Sequence, residues 1–68
     1  MDIFSKRLKN LRKEKSLTYA TVAEAIGIDT KTYWSYENEL GEPRQTNLVK
    51  IADYFGVSLD YLLGRVEF

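Results

Sequence analysis

The apolar residues of this chain recur at helical spacing, and short capping sequences divide that pattern into separate helices. Near the start of the chain, Ile3, Phe4, Leu8 and Leu11 lie on one face of a predicted helix that fades near Lys15. Strand-like alternation never lasts long enough to predict a sheet. A helical chain of 68 residues forms one domain, near the lower size limit at which a single core is stable.

Capping residues predict where the next two helices begin and end. Thr18 can cap a second helix, which Gly27 stops. Asp29 can cap a third helix, which runs from Thr30 to about Glu37. The second and third helices are therefore joined by a turn of three or four residues that contains glycine.

The rest of the chain predicts a loop and two further helices. Residues 38–44, with the sequence NELGEPR, form the loop because they contain a glycine and a proline. The fourth helix ends at Gly56, and Ser58 caps a short fifth helix. The apolar residues of these two helices are Leu48, Ile51, Ala52, Phe55, Leu59, Leu62 and Leu63. The sequence therefore predicts an all-α fold with five short helices around one core.

The residue types that are absent restrict the possible chemistry. The chain has no cysteine and no histidine, which removes disulfides, thiolate or imidazole metal sites and the usual nucleophile–base pairs. Its apolar runs are shorter than the ~20 residues that span a bilayer, and the N-terminus lacks a signal peptide's apolar segment. We therefore predict a cytoplasmic protein that is not an enzyme and has no cofactor, metal, membrane or small-molecule partner.

The formal net charge is zero, but the charges are unevenly placed. Residues 1–15 carry six basic and two acidic side chains, a net charge of +4, and residues 16–68 carry four basic and eight acidic ones, a net charge of −4. A basic first helix can meet phosphates, whereas a strong nucleic-acid binder is usually basic as a whole domain. Composition alone therefore leans slightly against nucleic acid.

The short turn between the second and third helices is typical of a helix-turn-helix, in which the second helix of the pair enters the major groove. Helix geometry divides the third helix into two sides. The outer side holds Thr30, Lys31, Trp34 and Ser35, and the inner side holds Tyr33, Tyr36 and Glu37. Many helical pairs connect by such a turn, so the turn alone is a weak indicator of function.

Five segments, in order and with matching spacing, resemble the Cro/CI phage-repressor family of helix-turn-helix proteins. They are RLKNLRKEKSLT (7–18), VAEAIGI (22–28), YEN (36–38), EP (42–43) and LVKIADYFGVSLDYLLG (48–64). The resemblance implies a compact five-helix lambda-repressor-like DNA-binding domain over residues 1–68, with the helix-turn-helix at about 18–37 and a tail at 65–68. It also implies a bacterial or phage-encoded regulator that binds a two-fold operator in double-stranded DNA as a homodimer, at least on DNA.

The resemblance also implies which residues contact DNA. The groove-facing positions of the third helix are Thr30, Lys31, Trp34 and Ser35. Tyr19 stands where the family very often has a glutamine that touches the DNA backbone, and Asn38 matches a common phosphate contact. Arg44 is a further candidate for a backbone contact. The family pairs the positions of Arg12 and Glu37 in a partly buried ion pair, so we interpret these two residues as structural.

Several alternatives remain open from the sequence. Lys31 is either a base or phosphate contact or a solvated lysine, and Tyr19 either donates to a phosphate or leans its ring on a neighbouring aromatic residue. Trp34 either contacts the ligand or folds back over Tyr19 or the loop. The alternative function is a protein-binding module on the same scaffold, such as an antirepressor or antitoxin-type partner, which would use the aromatic face around Trp34.

Overall fold

The computed structural model describes residues 2–67, except for the side chain of Asp2, and these residues form five α-helices without a strand. The helices are α1 (Asp2–Glu14), α2 (Tyr19–Ile26), α3 (Thr30–Glu37), α4 (Gln45–Phe55) and α5 (Leu59–Leu62). The predicted all-α fold is therefore confirmed. Phe68, the last residue of the predicted tail, and Met1 lie outside the described residues.

The predicted helix caps are present in the structure. The side chain of Thr18 accepts a hydrogen bond from the Thr21 amide at 3.1 Å, and Ser58 accepts one from the Tyr61 amide at 3.0 Å. Gly27 follows α2 in the left-handed region, with φ of 79°, a conformation that a side chain disfavours. These local contacts fix where α2 begins and ends and where α5 begins.

One core joins all five helices. Its buried side chains are Phe4, Leu8, Leu11, Val22, Ala23, Ile26, Tyr33, Tyr36, Ile51, Ala52, Phe55 and Leu62. Because α3 contributes Tyr33 and Tyr36 to this core, one side of that helix is fixed against the rest of the domain. Ile3 departs from the helical pattern, since it is 50% exposed. A side chain at Gly64 would collide with it, because an ideal Cβ there lies 2.6 Å from Ile3 Cγ2.

An arginine that the sequence did not single out holds the chain after α5 against α1. Arg7 Nη1 donates to the backbone carbonyl of Tyr61 and, at 2.6 Å, to that of Val66. Its guanidinium also lies 4.3 Å from the centroid of the Tyr61 ring. The first half of α1 is therefore attached to the C-terminal segment through Arg7.

Over residues 2–67, every helix is too short or too polar to cross a bilayer.

Candidate nucleic-acid-binding surface

The two sides of α3 differ in burial as helix geometry predicts. On the inner side, Tyr33 and Tyr36 are buried in the core, and Glu37 is buried with them. On the outer side, Thr30 and Lys31 are exposed, and Trp34 is 39% exposed. Ser35, which the helix pattern also placed on the outer side, is half-buried, so from here the outer side of α3 means Thr30, Lys31 and Trp34.

The start of α3 is fixed by Asp29, which accepts two hydrogen bonds from one residue. Its Oδ2 accepts from the Thr32 amide at 3.2 Å, and its Oδ1 accepts from the Thr32 hydroxyl at 2.5 Å. These bonds, with a smaller contribution from the charge of Lys31, hold the pKa of the Asp29 carboxyl below its ordinary value. The cap therefore sets the positions of Thr30 and Lys31 in the first turn.

Two of the predicted contact residues use their donors on the backbone of α3. Ser35 is half-buried, and its hydroxyl donates to the Thr32 carbonyl at 2.7 Å. The Asn38 side-chain amide donates to the Trp34 carbonyl at 2.9 Å and so satisfies the helix end. Ser35 is thus less available than its place on the helix wheel suggested, while Asn38 remains exposed next to Trp34.

Arg44 lies apart from this cluster, at the end of the loop. It is exposed and stands at the N-cap position of α4, where its side chain forms no capping hydrogen bond. A cation at this end is unfavourably placed against the helix dipole. Arg44 therefore stays a predicted backbone contact, with an exposed side chain that does not cap α4.

The inner side of α3 is attached to α1 by the ion pair of Arg12 and Glu37. Arg12 Nε donates to Glu37 Oε2 at 2.7 Å, and Nη2 donates to Oε1 at 3.1 Å. Arg12 Nη1 donates to the Leu17 carbonyl at 2.9 Å. The hydrogen bond to Glu37 raises the pKa of Arg12, against the opposing effect of burial. A carboxylate at the C-terminal end of a helix needs such a cation, because the dipole there disfavours an anion.

Tyr19, the first residue of α2, contacts this ion pair through its ring. The Arg12 guanidinium carbon lies 4.3 Å from the ring centroid, and the Tyr33 ring centroid lies 6.2 Å away at an interplanar angle of 50°. Of the two alternatives left open for Tyr19, the ring does lean on a neighbouring aromatic residue. The hydroxyl reaches solvent, because it is neither buried nor hydrogen-bonded to another described residue.

The two buried tyrosines of α3 differ in whether their hydroxyl groups form hydrogen bonds. The Tyr36 hydroxyl accepts from the Asn47 side chain at 3.2 Å, and its backbone carbonyl accepts from the buried Ser5 hydroxyl at 2.7 Å. The Tyr33 hydroxyl has no hydrogen-bond partner among the described residues. Burial, and then the nearby Glu37 carboxylate, raise the pKa of Tyr33. Sequence reasoning missed Ser5 and Asn47, since their partners are distant in sequence.

The charges around the end of α3 have both signs. A groove of about 390 Å³ runs between α1 and the end of α3. It is lined by Ser5, Lys6, Lys9, Asn10, Glu37 and Glu39. The fold therefore brings basic side chains of α1 next to the acidic start of the loop. Local charge at this edge is close to balanced, and only Lys31 and Arg44 add positive charge on α3 and in the loop.

Comparison with known proteins identifies close relatives of the sequence. A model of the family described as Helix-turn-helix matches residues 8–62. The chain is 48% identical over 59 residues to the cryptic phage CTXphi transcriptional repressor RstR of Vibrio cholerae. That alignment covers 87% of this chain and 53% of RstR. It is 42% identical over 65 residues to the uncharacterized HTH-type transcriptional regulator YobD of Bacillus subtilis. This second alignment covers 96% of this chain and 58% of YobD. The chain thus spans little more than half the length of these relatives.

Solved structures share the helix arrangement. A transcriptional regulator from Listeria innocua superposes with a TM-score of 0.86 at 33% identity, over 93% of this chain and 59% of that one. The P22 c2 repressor, crystallised with synthetic operator 9T, superposes with a TM-score of 0.85 at 22% identity, over 91% and 94% of the two chains. The predicted five-helix repressor-like fold is therefore confirmed.

Proposed function

This chain belongs to the helix-turn-helix family, and from that premise we propose that it is a sequence-specific DNA-binding transcriptional regulator, a repressor or Cro-like protein. It reads a two-fold operator through α3, which enters the major groove. The relatives that are more than 40% identical carry the names of transcriptional regulators, which supports this proposal.

The observation that carries the proposal is the asymmetry of α3. Its inner side is held by the core and by the Arg12–Glu37 ion pair, while its outer side leaves Thr30, Lys31 and Trp34 exposed. The major groove of B-DNA is wide enough to admit such a helix, and each base pair presents a distinct pattern there. A rigid helix with one free side is therefore suited to reading base edges.

The three outer side chains have distinct expected contacts. Lys31 reaches a guanine or a phosphate, and Thr30 reaches a thymine methyl group or a phosphate. The Trp34 ring covers thymine methyl groups, while its indole N–H reaches a base acceptor or a phosphate. Lys31 and Trp34 are thus the residues expected to distinguish an operator from random sequence.

Phosphate contacts come from residues around α3. Asn38 begins the loop, Arg44 ends it, and the Tyr19 hydroxyl lies at the start of α2. Ser35 is not a phosphate donor, because its hydroxyl hydrogen is already donated to the Thr32 carbonyl. Each neutralised phosphate steepens the fall of affinity with salt. Because few cations stand on this surface, we expect a shallow salt dependence.

The operator is proposed to be two-fold because apolar side chains at the end of the domain are free to meet a second copy. Leu59 is 36% exposed and Val66 is 40% exposed, at the start of α5 and in the segment after it. Two copies joined there would place half-site centres about one helical turn, ~34 Å, apart. Footprints of a single unpaired half-site at saturation would contradict this assembly.

Selection from random duplexes, followed by affinity measurements over a salt series, tests the proposal. We expect an enriched two-fold sequence, and the Trp34 emission should change when that duplex binds. Trp34→Ala and Lys31→Ala should each weaken operator binding by roughly ten-fold, at about 1–3 kcal/mol per specific contact. Lys50→Ala is the matched control, since Lys50 is an exposed lysine on α4 outside the candidate surface. Equal losses for Lys31→Ala and Lys50→Ala would contradict the assignment.

A protein-binding module on the same scaffold is the second candidate function. Leu40 is 69% exposed in the loop that follows α3, and Trp34 is 39% exposed, so two large apolar side chains on neighbouring segments face solvent. Aromatic residues are frequent anchors of protein interfaces. An interface of this kind would respond weakly to salt, and Leu40→Ala would weaken it as much as Trp34→Ala. DNA reading by α3 predicts a much smaller effect for Leu40→Ala.

A further inference from the structure

We propose that Tyr19 is a positioning residue, whose ring couples the first turn of α2 to the Arg12–Glu37 ion pair and so holds the orientation of α3. The inference rests on the proposed function in one respect only, namely that α3 binds DNA. The coupling itself is a property of the free protein.

The Tyr19 ring lies against the Arg12 guanidinium, whose hydrogen bonds run in other directions. Nε, Nη1 and Nη2 each donate one bond, in the guanidinium plane, to Glu37 or to the Leu17 carbonyl. The flat face donates no hydrogen bond, and the ring centroid lies 4.3 Å from the guanidinium carbon. An aromatic face attracts a cation, and a planar guanidinium suits such stacking. One side chain of α2 therefore secures a residue of α1.

The same ring also reaches α3. The ring centroids of Tyr19 and Tyr33 are 6.2 Å apart, within the range in which aromatic pairs attract each other. Tyr19 thus contacts Arg12 and Tyr33 together, and Arg12 in turn holds Glu37, the last residue of α3. Helices α1, α2 and α3 therefore meet at the Tyr19 ring.

Loss of the ring would admit water to the ion pair. The Arg12 side chain is 11% exposed and the Glu37 side chain 0% exposed. Water would weaken the attraction between the two charges, since charge pairs interact less strongly at higher dielectric. The Asp29 cap would still hold the start of α3, so the helix would loosen at its last turn. Trp34 would therefore shift more than Thr30.

Tyr19 differs in this respect from the glutamine that is frequent here in the resembled family. An amide has no aromatic face for the guanidinium, so a glutamine would leave the ion pair uncovered. The tyrosine keeps a polar end as well, because its hydroxyl reaches solvent. The ring and the hydroxyl therefore have separable roles, and substitutions can test them one at a time.

Three variants separate these roles in the free protein. Tyr19→Phe keeps the ring, Tyr19→Gln removes it, and Tyr61→Gln removes the matched ring that lies 4.3 Å from Arg7 at the other end of α1. Urea unfolding should show little change for Tyr19→Phe and a roughly ten-fold loss in the folding equilibrium constant for Tyr19→Gln. In an Arg12→Met background the Tyr19→Gln loss should shrink, because the contact is already absent.

Two further measurements distinguish positioning from general stability. Tyr19→Gln should speed amide hydrogen exchange in the last turn of α3 and lower the ratio of operator to random-duplex affinity. Tyr61→Gln should destabilise the protein without either effect. The proposal is overturned if Tyr19→Gln behaves like Tyr19→Phe, or if its stability loss persists undiminished with Arg12→Met. If the parent protein binds no duplex, the proposed function fails, while the exchange and unfolding results still decide the role of Tyr19.

Discussion

The inner and outer sides of α3 both carry aromatic and charged residues, but those on the inner side are buried and those on the outer side are exposed. Tyr33 on the inner side is fully buried in the core, whereas Trp34, its neighbour in sequence, is 39% exposed. Glu37 on the inner side is paired with Arg12, whereas Lys31 on the outer side forms no ion pair within the described residues. The difference shows that one short helix can separate stability from recognition, because adjacent residues face different ways. Each substitution below tests that separation.

The largest expected effect is on the ion pair. Arg12→Met leaves the Glu37 carboxylate buried and unpaired, and we expect a loss of about 3–5 kcal/mol in the free energy of unfolding. Glu37→Met should cost less, since Arg12 retains the Leu17 carbonyl and some exposure. The double variant should lose less than the sum of the two. Additive losses below about 1 kcal/mol in urea titrations would show that the two charges are solvated.

An effect of comparable size is expected from the core tyrosine near the end of α3. Tyr36→Ala removes a buried ring and leaves the Asn47 side chain without its partner, so we expect a loss of about 3–5 kcal/mol. Thermal unfolding should show a large fall in Tm. If the melting temperature hardly changed, Tyr36 would belong to the outer side and the division of α3 would be wrong.

Removing the Tyr36 hydroxyl and removing the Tyr33 hydroxyl should change the free energy of unfolding differently. Tyr36→Phe loses the hydrogen bond from Asn47 and should cost about 1 kcal/mol, whereas Tyr33→Phe removes a hydroxyl without a partner and should be neutral or stabilising by a similar amount.

High pH gives an independent check on Tyr33. Because the pKa of Tyr33 is raised in the folded protein, its contribution to stability is complete below its ordinary pKa of about 10 and is lost as pH rises above it. Tyr33→Phe should therefore flatten the alkaline fall in stability measured by urea titration. An unchanged alkaline profile would mean that Tyr33 is not the group responsible.

Trp34→Ala should change the free energy of unfolding by about 1 kcal/mol or less, because the side chain lies at the surface. The main effect of Trp34→Ala should instead be a lower affinity for the operator. The parent protein should show red-shifted Trp34 emission, since this single tryptophan is partly exposed. Blue-shifted emission together with a Trp34→Ala variant that unfolds would assign the residue to the core.

The smallest effect is expected at the start of the outer side. The pKa of Asp29 is lowered by the Thr32 hydroxyl and amide, so the stability that this cap provides is present above the unfolded pKa of about 3.9 and is lost as pH falls through the folded pKa. An NMR titration of the Asp29 carboxyl group should place its pKa below the ordinary aspartate value. Thr32→Ala should raise the Asp29 pKa, because the hydroxyl that bonds to the carboxylate is then removed.

The sequence predicted the helices well because their ends depend on local chemistry. Thr18, Asp29 and Ser58 bond to amides three residues ahead, so a short window of sequence contains the whole interaction. The two sides of α3 were predictable for the same reason, since helix periodicity alone separates Trp34 from Tyr33.

The contacts that cross the domain could not be predicted in this way. Arg7 donates to a carbonyl 59 residues away, and Ser5 to one 31 residues away, and a backbone carbonyl leaves no mark on composition. The ring of Tyr19 could be placed only once Arg12 and Tyr33 were fixed in space. The half-burial of Ser35 was also not predicted, because it depends on where the following loop packs: an ideal Cβ at Gly41 would lie 3.4 Å from Ser35 Oγ.

The inward hydroxyl of Ser35 limits how much of a base sequence this helix can read. If α3 enters the groove, Thr30, Lys31 and Trp34 remain to contact base edges, and each well-formed contact discriminates by about 1–3 kcal/mol. Three contacting residues can specify only a few base pairs in each half-site, even when two-fold symmetry doubles that number. Much of the discrimination between operators would then come from the DNA itself, through sequence-dependent groove width and stiffness between the half-sites. Base pairs that the protein never touches would accordingly influence which promoters it controls.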